Sequence, residues 1–385
     1  MTLRVRSTFI PAVAGLSFLA SSAASQAAEP LEEVIISSSL RESSLESLPA
    51  SASVLQAQAL SRAGVEHFGD VMGLVPNLNF AGSTSRPRYF QLRGIGELDQ
   101  YEGAPNPSVG FLVDGIDFSG VAMPATLYDT ARIEVLRGPQ GTAYGANALA
   151  GLVSLTTQAP VDRFEARADA DFGDYGLKAG GVVVNDTLGS DAAFRIVAHT
   201  YQGDGFRRNA YLKRNDTNGF DENLLRGRLH WRINPDLDAD LALLFADIDN
   251  GFDAWSIDNS RVTQSDRPGK DAQRSRAASL RLAWDGPQRF TLHSTTAWAD
   301  SSIRYSFDGD WGNPVLWGFN GPYDFFERTN RNRRTLSQEF RAVSKDTDGP
   351  RWVAGVHALR LTEGNDLLDL YNGDVYRTLV SDYAA

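Results

Sequence analysis

Arg132-Ile133-Glu134-Val135-Leu136-Arg137-Gly138-Pro139-Gln140-Gly141-Thr142-Ala143-Tyr144-Gly145 decides the reading of this chain. Its first six residues suit a β-strand, and three glycines, one proline and small residues then close it. Gly138, Gly141 and Gly145 suit turns with positive φ or close approach of two backbones. No Gly-Lys-Ser/Thr follows, so the spacing lacks the groups that cradle a nucleotide phosphate.

Working outward, Gln91-Leu92-Arg93-Gly94-Ile95-Gly96 and Pro107-Ser108-Val109-Gly110-Phe111-Leu112-Val113-Asp114-Gly115-Ile116 repeat the pattern of a short strand closed by glycine. Residues 57–63 and 68–74 suit short helices, and 89–92, 109–113, 133–136 and 152–155 suit strands. Residues 48–160 therefore read as a compact α+β domain. After Pro160 the texture changes to segments of about ten residues separated by Gly, Asn, Asp or Pro turns. Strands are predicted near 162–172, 176–186, 192–202, 224–233, 236–247, 277–285, 289–300, 335–345 and 351–362, with a tenth near 374–380. Arg228-Leu229-His230-Trp231-Arg232-Ile233 alternates with period two, as a sheet between an apolar and a polar surrounding requires. Connections alternate between short turns and long segments at 248–276 and 301–334, and Trp284, Trp298 and Trp352 fall near strand ends as interfacial aromatics would. The pattern fits antiparallel transmembrane barrel strands; a soluble β-sandwich or propeller would alternate too.

Upstream, Arg4 and Arg6 precede an apolar stretch from Phe9 to Ala20 and then small residues, the layout of a signal peptide over 1–28 cleaved near Ala27 or Ala28. With Pro11 inside it, the stretch is shorter than the roughly 20 residues that span a bilayer. Glu32-Glu33-Val34-Ile35-Ile36-Ser37 is a short β-prone run, and a Ser- and Glu-rich leash follows to residue 47.

Composition excludes other classes. The chain has 385 residues, a net charge of −11 and no cysteine. Thiolate metal sites, disulfides and thiol nucleophiles are thereby ruled out. Its few lysines are scattered and no basic run could neutralise successive phosphates, so nucleic acid is not an expected partner. No Gly-x-Ser-x-Gly elbow, His-Glu-x-x-His or His cluster occurs, so no catalytic residue, metal site or cofactor is assigned. Asp247-Ile248-Asp249-Asn250-Gly251 mismatches a calcium loop, its Gly one place early and its terminal Glu missing.

The three glycine-closed motifs, in order and spacing, resemble the plug domain of TonB-dependent outer-membrane receptors, and residues 32–37 look like that family's TonB box. One departure is Ala150-Gly151 where the family commonly has Gly-Gly. The resemblance implies an α+β plug followed by a barrel of about 22 strands, of which this chain offers nine or ten. Two sheet edges would then remain unpaired in lipid, so a fragment or truncated gene product is expected. It further implies outer-membrane lipid around the barrel of a Gram-negative cell, and TonB as a periplasmic partner that pairs with Glu32, Glu33, Val34, Ile35, Ile36 and Ser37 by strand addition. The expected function is energy-coupled uptake of a small-molecule ligand, most often a ferric siderophore or similar metal chelate. Cobalamin or an oligosaccharide as cargo, or a non-transporting binding or decoy protein, are the alternatives. The plug motif is carried by Arg93, Gly94, Asp114, Gly115, Arg132, Glu134, Arg137, Gly138, Gly141, Tyr144 and Gly145. Among these, Arg93, Arg132, Glu134 and Arg137 read either as charges paired inside a polar lumen or as solvated surface charges. Ligand contact is expected from loops 82–88, 97–106, 117–126, 248–276 and 301–334, with Arg86, Arg88 and Tyr101 meeting an anionic chelate and Trp255, Trp311 and Trp317 stacking on it.

Overall fold

A computed structural model describes residues 4–5, 35–36, 43–44 and 51–384, apart from 83, 99–106, 141–146, 288, 319–323, 346–349 and 372–373. Most of the leader, Glu32, Glu33, Val34, Ser37, Tyr101, Gly141, Tyr144 and Gly145 therefore lie outside the described residues.

The first unit is a small mixed sheet. Strand β1 (Ser51–Gln56) leads directly into α1 (Ala57–Ala63). The helix is built from good helix formers and stops at Gly64, whose φ of 64° and N–H to the Ser61 carbonyl make a left-handed cap. Strands β2 (Val109–Val113), β3 (Thr130–Arg137) and β4 (Gly151–Thr157) complete it. β3 pairs antiparallel with both β1 and β4, and β4 runs parallel to β2. The inner strands β2, β3 and β4 are largely buried and mostly apolar, apart from Arg132, Glu134 and Arg137 of β3, while β1 forms the partly exposed edge. On one face Phe68, Phe90 and Phe111 meet with ring centroids 4.9 to 5.2 Å apart, and on the other Leu136 packs on Leu152. Two of the glycine motifs are tight hairpin turns. Arg93-Gly94 (φ 54° and 79°) and Asp114-Gly115 (φ 48° and 79°) each place two successive residues at positive φ, the twist that two-residue hairpins demand.

The second unit is an antiparallel meander of ten strands: β5 (Glu165–Phe172), β6 (Lys178–Thr187), β7 (Ala192–Gly203), β8 (Phe220–Asn234), β9 (Leu237–Phe252), β10 (Gly269–Trp284), β11 (Phe290–Asp308), β12 (Phe325–Ser344), β13 (Val353–Tyr371) and β14 (Asp374–Ala384). Each pairs with the next, β5 and β14 stay unpaired with each other, and Arg4–Val5 lies parallel along β5. The sheet is thus an open part of a barrel. One face looks toward the plug. The other carries an apolar belt that includes the exposed Val182, Ile196, Leu225, Leu243 and Leu336, bounded by Trp231, Trp284 and Trp352 at the short-turn end.

Ten strands match the sequence expectation; their lengths do not. Much of 248–276 and 301–334, read as loops, is strand: β9 continues to Phe252, β10 begins at Gly269, β11 runs to Asp308 and β12 begins at Phe325. Above the belt the outward face turns polar and the inner face mixes polar residues with Ile248, Phe252, Ile303 and Tyr305, so the period-two apolar signal fades while backbone pairing continues. The segments that join these strands at that end shrink to 253–268 and 309–324.

Candidate functional site

The chemistry of this chain concentrates on the seam between plug and barrel. The plug loop at 85–90 is fastened to three barrel strands, β8, β9 and β10. The Arg86 guanidinium donates to the Glu222 carboxylate of β8 from Nε at 2.8 Å, while its flat face covers Phe220 at 4.9 Å. Arg88 is paired with Asp271 of β10, which also accepts from the Ser85 hydroxyl at 2.6 Å. Asn250 of β9 bridges the two centres, donating to Ser85 Oγ at 3.1 Å and Glu222 Oε1 at 2.9 Å. Gln273 donates to the Val121 carbonyl at 2.8 Å, and Arg331 of β12 to the Gly120 carbonyl at 3.1 Å while holding Glu363 of β13 at 2.8 Å. Every charge in this group is buried, so the pairs are shielded from salt and water.

A second set of ties lies nearer the short turns. Arg195 of β7 grips Asp129 bidentately at 2.6 and 2.7 Å. Arg226 reaches the Tyr128 carbonyl, and Arg228 donates to the Thr157 carbonyl at 3.0 Å and lies 3.4 Å from Asp114. Tyr128 itself lies over Gly181, where an added Cβ would stand 2.2 Å from the ring, and stacks on His199 at 4.7 Å. Burial, then the bond its hydroxyl makes to Asp169 at 2.7 Å, push its pKa up to about 12. Beside the first group, His67 is fully enclosed. Its Nδ1 accepts from the Gly69 N–H at 3.0 Å, so Nε2 carries the proton and donates to the Met123 carbonyl at 2.7 Å. Burial, then the Arg86 charge, push its pKa down to about 4.

Several expected roles need correcting. Arg86 and Arg88 were expected to meet an anionic ligand; both are instead buried and paired with barrel carboxylates, because a desolvated guanidinium requires a counter-charge. Arg132, Glu134 and Arg137 were expected either to pair in the lumen or to be solvated. The bonds shown for them are internal to the plug: Arg132 to Glu134 at 2.8 Å, and Arg137 to Ser53 Oγ at 2.8 Å and the Pro76 carbonyl at 3.0 Å. β3 is a middle strand of the plug sheet, which turns its side chains toward the plug's own body. Arg93 and Gly94 form a turn, and Asp114 does both jobs, closing its hairpin and accepting from Thr157 N–H at 2.9 Å beside Arg228. Trp255 and Trp311 do come together at the long-loop end, stacked at 6.0 Å, whereas Trp317 turns to donate to Asp310 at 3.1 Å. Sequence reasoning missed Asp129, Glu222, Asn250, Asp271, Gln273, Arg331 and Glu363. For the six barrel residues among these the signal is a polar residue at every second position on the non-lipid face, as in Asp271-x-Gln273-x-Ser275. Among the described residues no group of three or more His, Asp or Glu is placed to hold a metal ion.

An α+β plug, tied by buried charges to a sheet with a lipid-type belt, defines a plugged barrel of the outer-membrane kind. Residues 44–152 match the TonB-dependent Receptor Plug Domain, which assigns the plug to that domain family. The pesticin receptor of Yersinia enterocolitica is 34% identical over 111 residues, covering 29% of this chain and 16% of that protein. The catecholate siderophore receptor Fiu of Escherichia coli is 27% identical over 145 residues, covering 37% of this chain and 18% of Fiu. In fold, 85% of the chain superposes on 51% of the ferric yersiniabactin uptake receptor FyuA of Yersinia pestis, with TM-score 0.72 and 18% identity. For the pyoverdine outer membrane receptor FpvA of Pseudomonas aeruginosa, the coverage is 91% and 54%, the TM-score 0.67 and the identity 15%. The chain thus spans about half the length of these solved receptors.

Proposed function

We propose that these residues form the leader (1–28), TonB box and linker (29–47), plug (48–160) and first barrel strands (from 161) of a receptor in the outer membrane of a Gram-negative bacterium. Its activity is energy-coupled import of a scarce ligand, a ferric siderophore or similar metal chelate. The observation that carries this reading is the plug held against a barrel wall by buried polar ties, beside an apolar cluster that plug and wall share through Leu224, Leu244, Ala277, Ala297 and Ile303. Such a plug is fixed at rest yet can be released by a pull on its N-terminal end. Yersiniabactin and pyoverdine receptors among the similar proteins support the ligand class.

Ile35 and Ile36 are extended, the state that strand addition to a partner sheet needs. Ile35→Pro removes one N–H donor and restricts the residue before it, whereas Ile35→Val keeps the backbone and β-propensity. In a receptor carrying these residues and a complete barrel, cells with the Pro variant should bind ferric siderophore at the wild-type level and import none. The Val variant should import normally. Equal uptake by the two would refute the TonB-box assignment.

A further inference from the structure

At the long-loop end two segments of the chain meet around a buried acid. Leu336 of the lipid belt pairs with Trp298 of β11, and Asp308 stands ten residues beyond Trp298, roughly 33 Å along the strand and well clear of the belt. There residues 264–267, from the segment between β9 and β10, seat on residues 308–313, at the end of β11 and just past it. The Asp266 N–H donates to the Gly312 carbonyl at 2.9 Å, and Asn313 Nδ2 donates to the Gln264 carbonyl at 2.7 Å. The Trp255–Trp311 stack spans the same junction, one ring from each segment.

Asp308 is 5% exposed, and its Oδ2 has no hydrogen-bond partner among the described residues; the Ser265 hydroxyl beside it is buried and equally without one. The charges that act on the Asp308 carboxyl are both negative: Asp310 on its own side of the junction and Asp266 on the facing segment. Asp310 accepts from the Gly312 and Phe325 N–H groups and from Trp317 Nε1, at 2.8 to 3.1 Å, which fixes its carboxylate in place. The Arg267 guanidinium lies 3.7 Å from Asp266 and pairs with Asp324 ahead of β12, so its charge is taken up by those two acids. A buried carboxylate crowded by like charges favours its protonated form: burial first, then Asp310 and Asp266, push the Asp308 pKa up to about 7.

We infer that Asp308 is a proton-operated latch between segments 253–268 and 309–324: when neutral it lets Ser265 and Asp266 pack down on the end of β11, and when ionised it repels Asp266 and loosens the seat. Asp308 holds its proton more tightly in the seated arrangement than in an open one, where a carboxyl titrates near 3.8. Seating is therefore favoured in full below about pH 3.8 and loses that support as pH rises through about 7. An acidified medium closes these segments over the outer end of the wall, and an alkaline one frees them. The inference takes from the barrel reading only that this end lies outside the cell, and its test needs neither cargo nor partner.

Hydrogen exchange of the backbone over 262–268, which contains the Asp266 N–H, reads the opening directly in the full chain held in a neutral detergent. Rates are divided by those of the free peptide at each pH, which removes the intrinsic pH dependence of exchange. The corrected protection in wild type should fall by up to about tenfold per pH unit between roughly 4 and 7, and level off above that, a loss on the order of a hundredfold from pH 5 to pH 8. D308N, neutral at every pH, should keep at pH 8 the protection that wild type has at pH 5. D266N removes one of the two negative neighbours and should move the fall to lower pH, a displacement that a merely structural Asp308 would not produce. Protection that stays level in wild type from pH 5 to pH 8, or that falls equally in D308N, would overturn the proposal.

Discussion

The Arg86–Glu222 pair offers the sharpest test of what fastens the plug. Both side chains are buried, at 9% and 6% exposure, and the acceptor is shared only with Asn250 among the hydrogen bonds the structure shows. Arg86→Met removes the cation and leaves the Glu222 carboxylate stranded in a dry seam, a change that costs roughly 3–5 kcal/mol. Glu222→Gln strands the guanidinium instead, with Asp70 at 4.0 Å as its remaining acid, and should cost somewhat less. In the double variant neither charge is present, so its cost should fall well below the sum, giving a coupling of roughly 2 kcal/mol or more. The cysteine-free chain makes the assay clean. A single Ala125→Cys, at a site buried in the plug core, reacts with a thiol reagent only when the plug opens. Where reclosing outpaces labelling, the rate tracks the opening equilibrium. Arg86→Met should then speed labelling by roughly a hundredfold to a few thousandfold. Additive effects of the two single changes, or a tenfold or smaller increase for Arg86→Met, would show that this pair does not hold the plug.

Two further outcomes are expected. Gly181→Ala drives a methyl into the Tyr128 ring and should destabilise the plug–barrel seam by roughly 1–3 kcal/mol, while Gly180→Ala, whose added carbon would lie 3.3 Å from the Asp169 carbonyl, should be much milder; thermal unfolding of the two variants side by side measures this, and equal melting would refute the contact. His67 is held neutral with its pKa down at about 4, so the unfolded chain, titrating near 6.5, binds the extra proton between those values. Its stabilisation is complete above about pH 6.5 and is lost as pH falls toward 4, at a slope up to roughly 1.4 kcal/mol per unit; plug opening in wild type should steepen over that window relative to His67→Gln, and parallel pH profiles would contradict it.

The parts of this fold that were legible in sequence are those set by local backbone chemistry. Asp114-Gly115 announces a hairpin because few dipeptides tolerate two positive φ values, and alternation in 224–233 announces a strand between lipid and polar lumen. Pairings across the seam were not legible. Arg86 meets Glu222 and Arg88 meets Asp271 over separations of 136 and 183 residues, and which arginine faces which acid depends on sheet register and plug orientation together. A charge in a loop therefore looked like a ligand contact when it was a fastening. Arg132, Glu134 and Arg137 misled for the complementary reason: a charged strand reads as solvent-facing or lumen-facing, yet β3 lies between β1 and β4, and its charges are used at home.

The seam has a consequence for inheritance. Because the plug's polar groups are matched to acids, arginines and amides on six barrel strands, β5, β7, β8, β9, β10 and β12, the two units act as lock and key in a polar code. A recombination event joining this plug to a relative's barrel near residue 160 would leave Arg86, Arg88 and Asp129 without Glu222, Asp271 and Arg195. Several buried ions would be stranded at once, whatever the quality of the backbone match. Exchange of the segments at 253–268 or 309–324 touches none of these three ion pairs. Those segments in such a lineage are thus free to be replaced, while plug and wall must travel together as one heritable block.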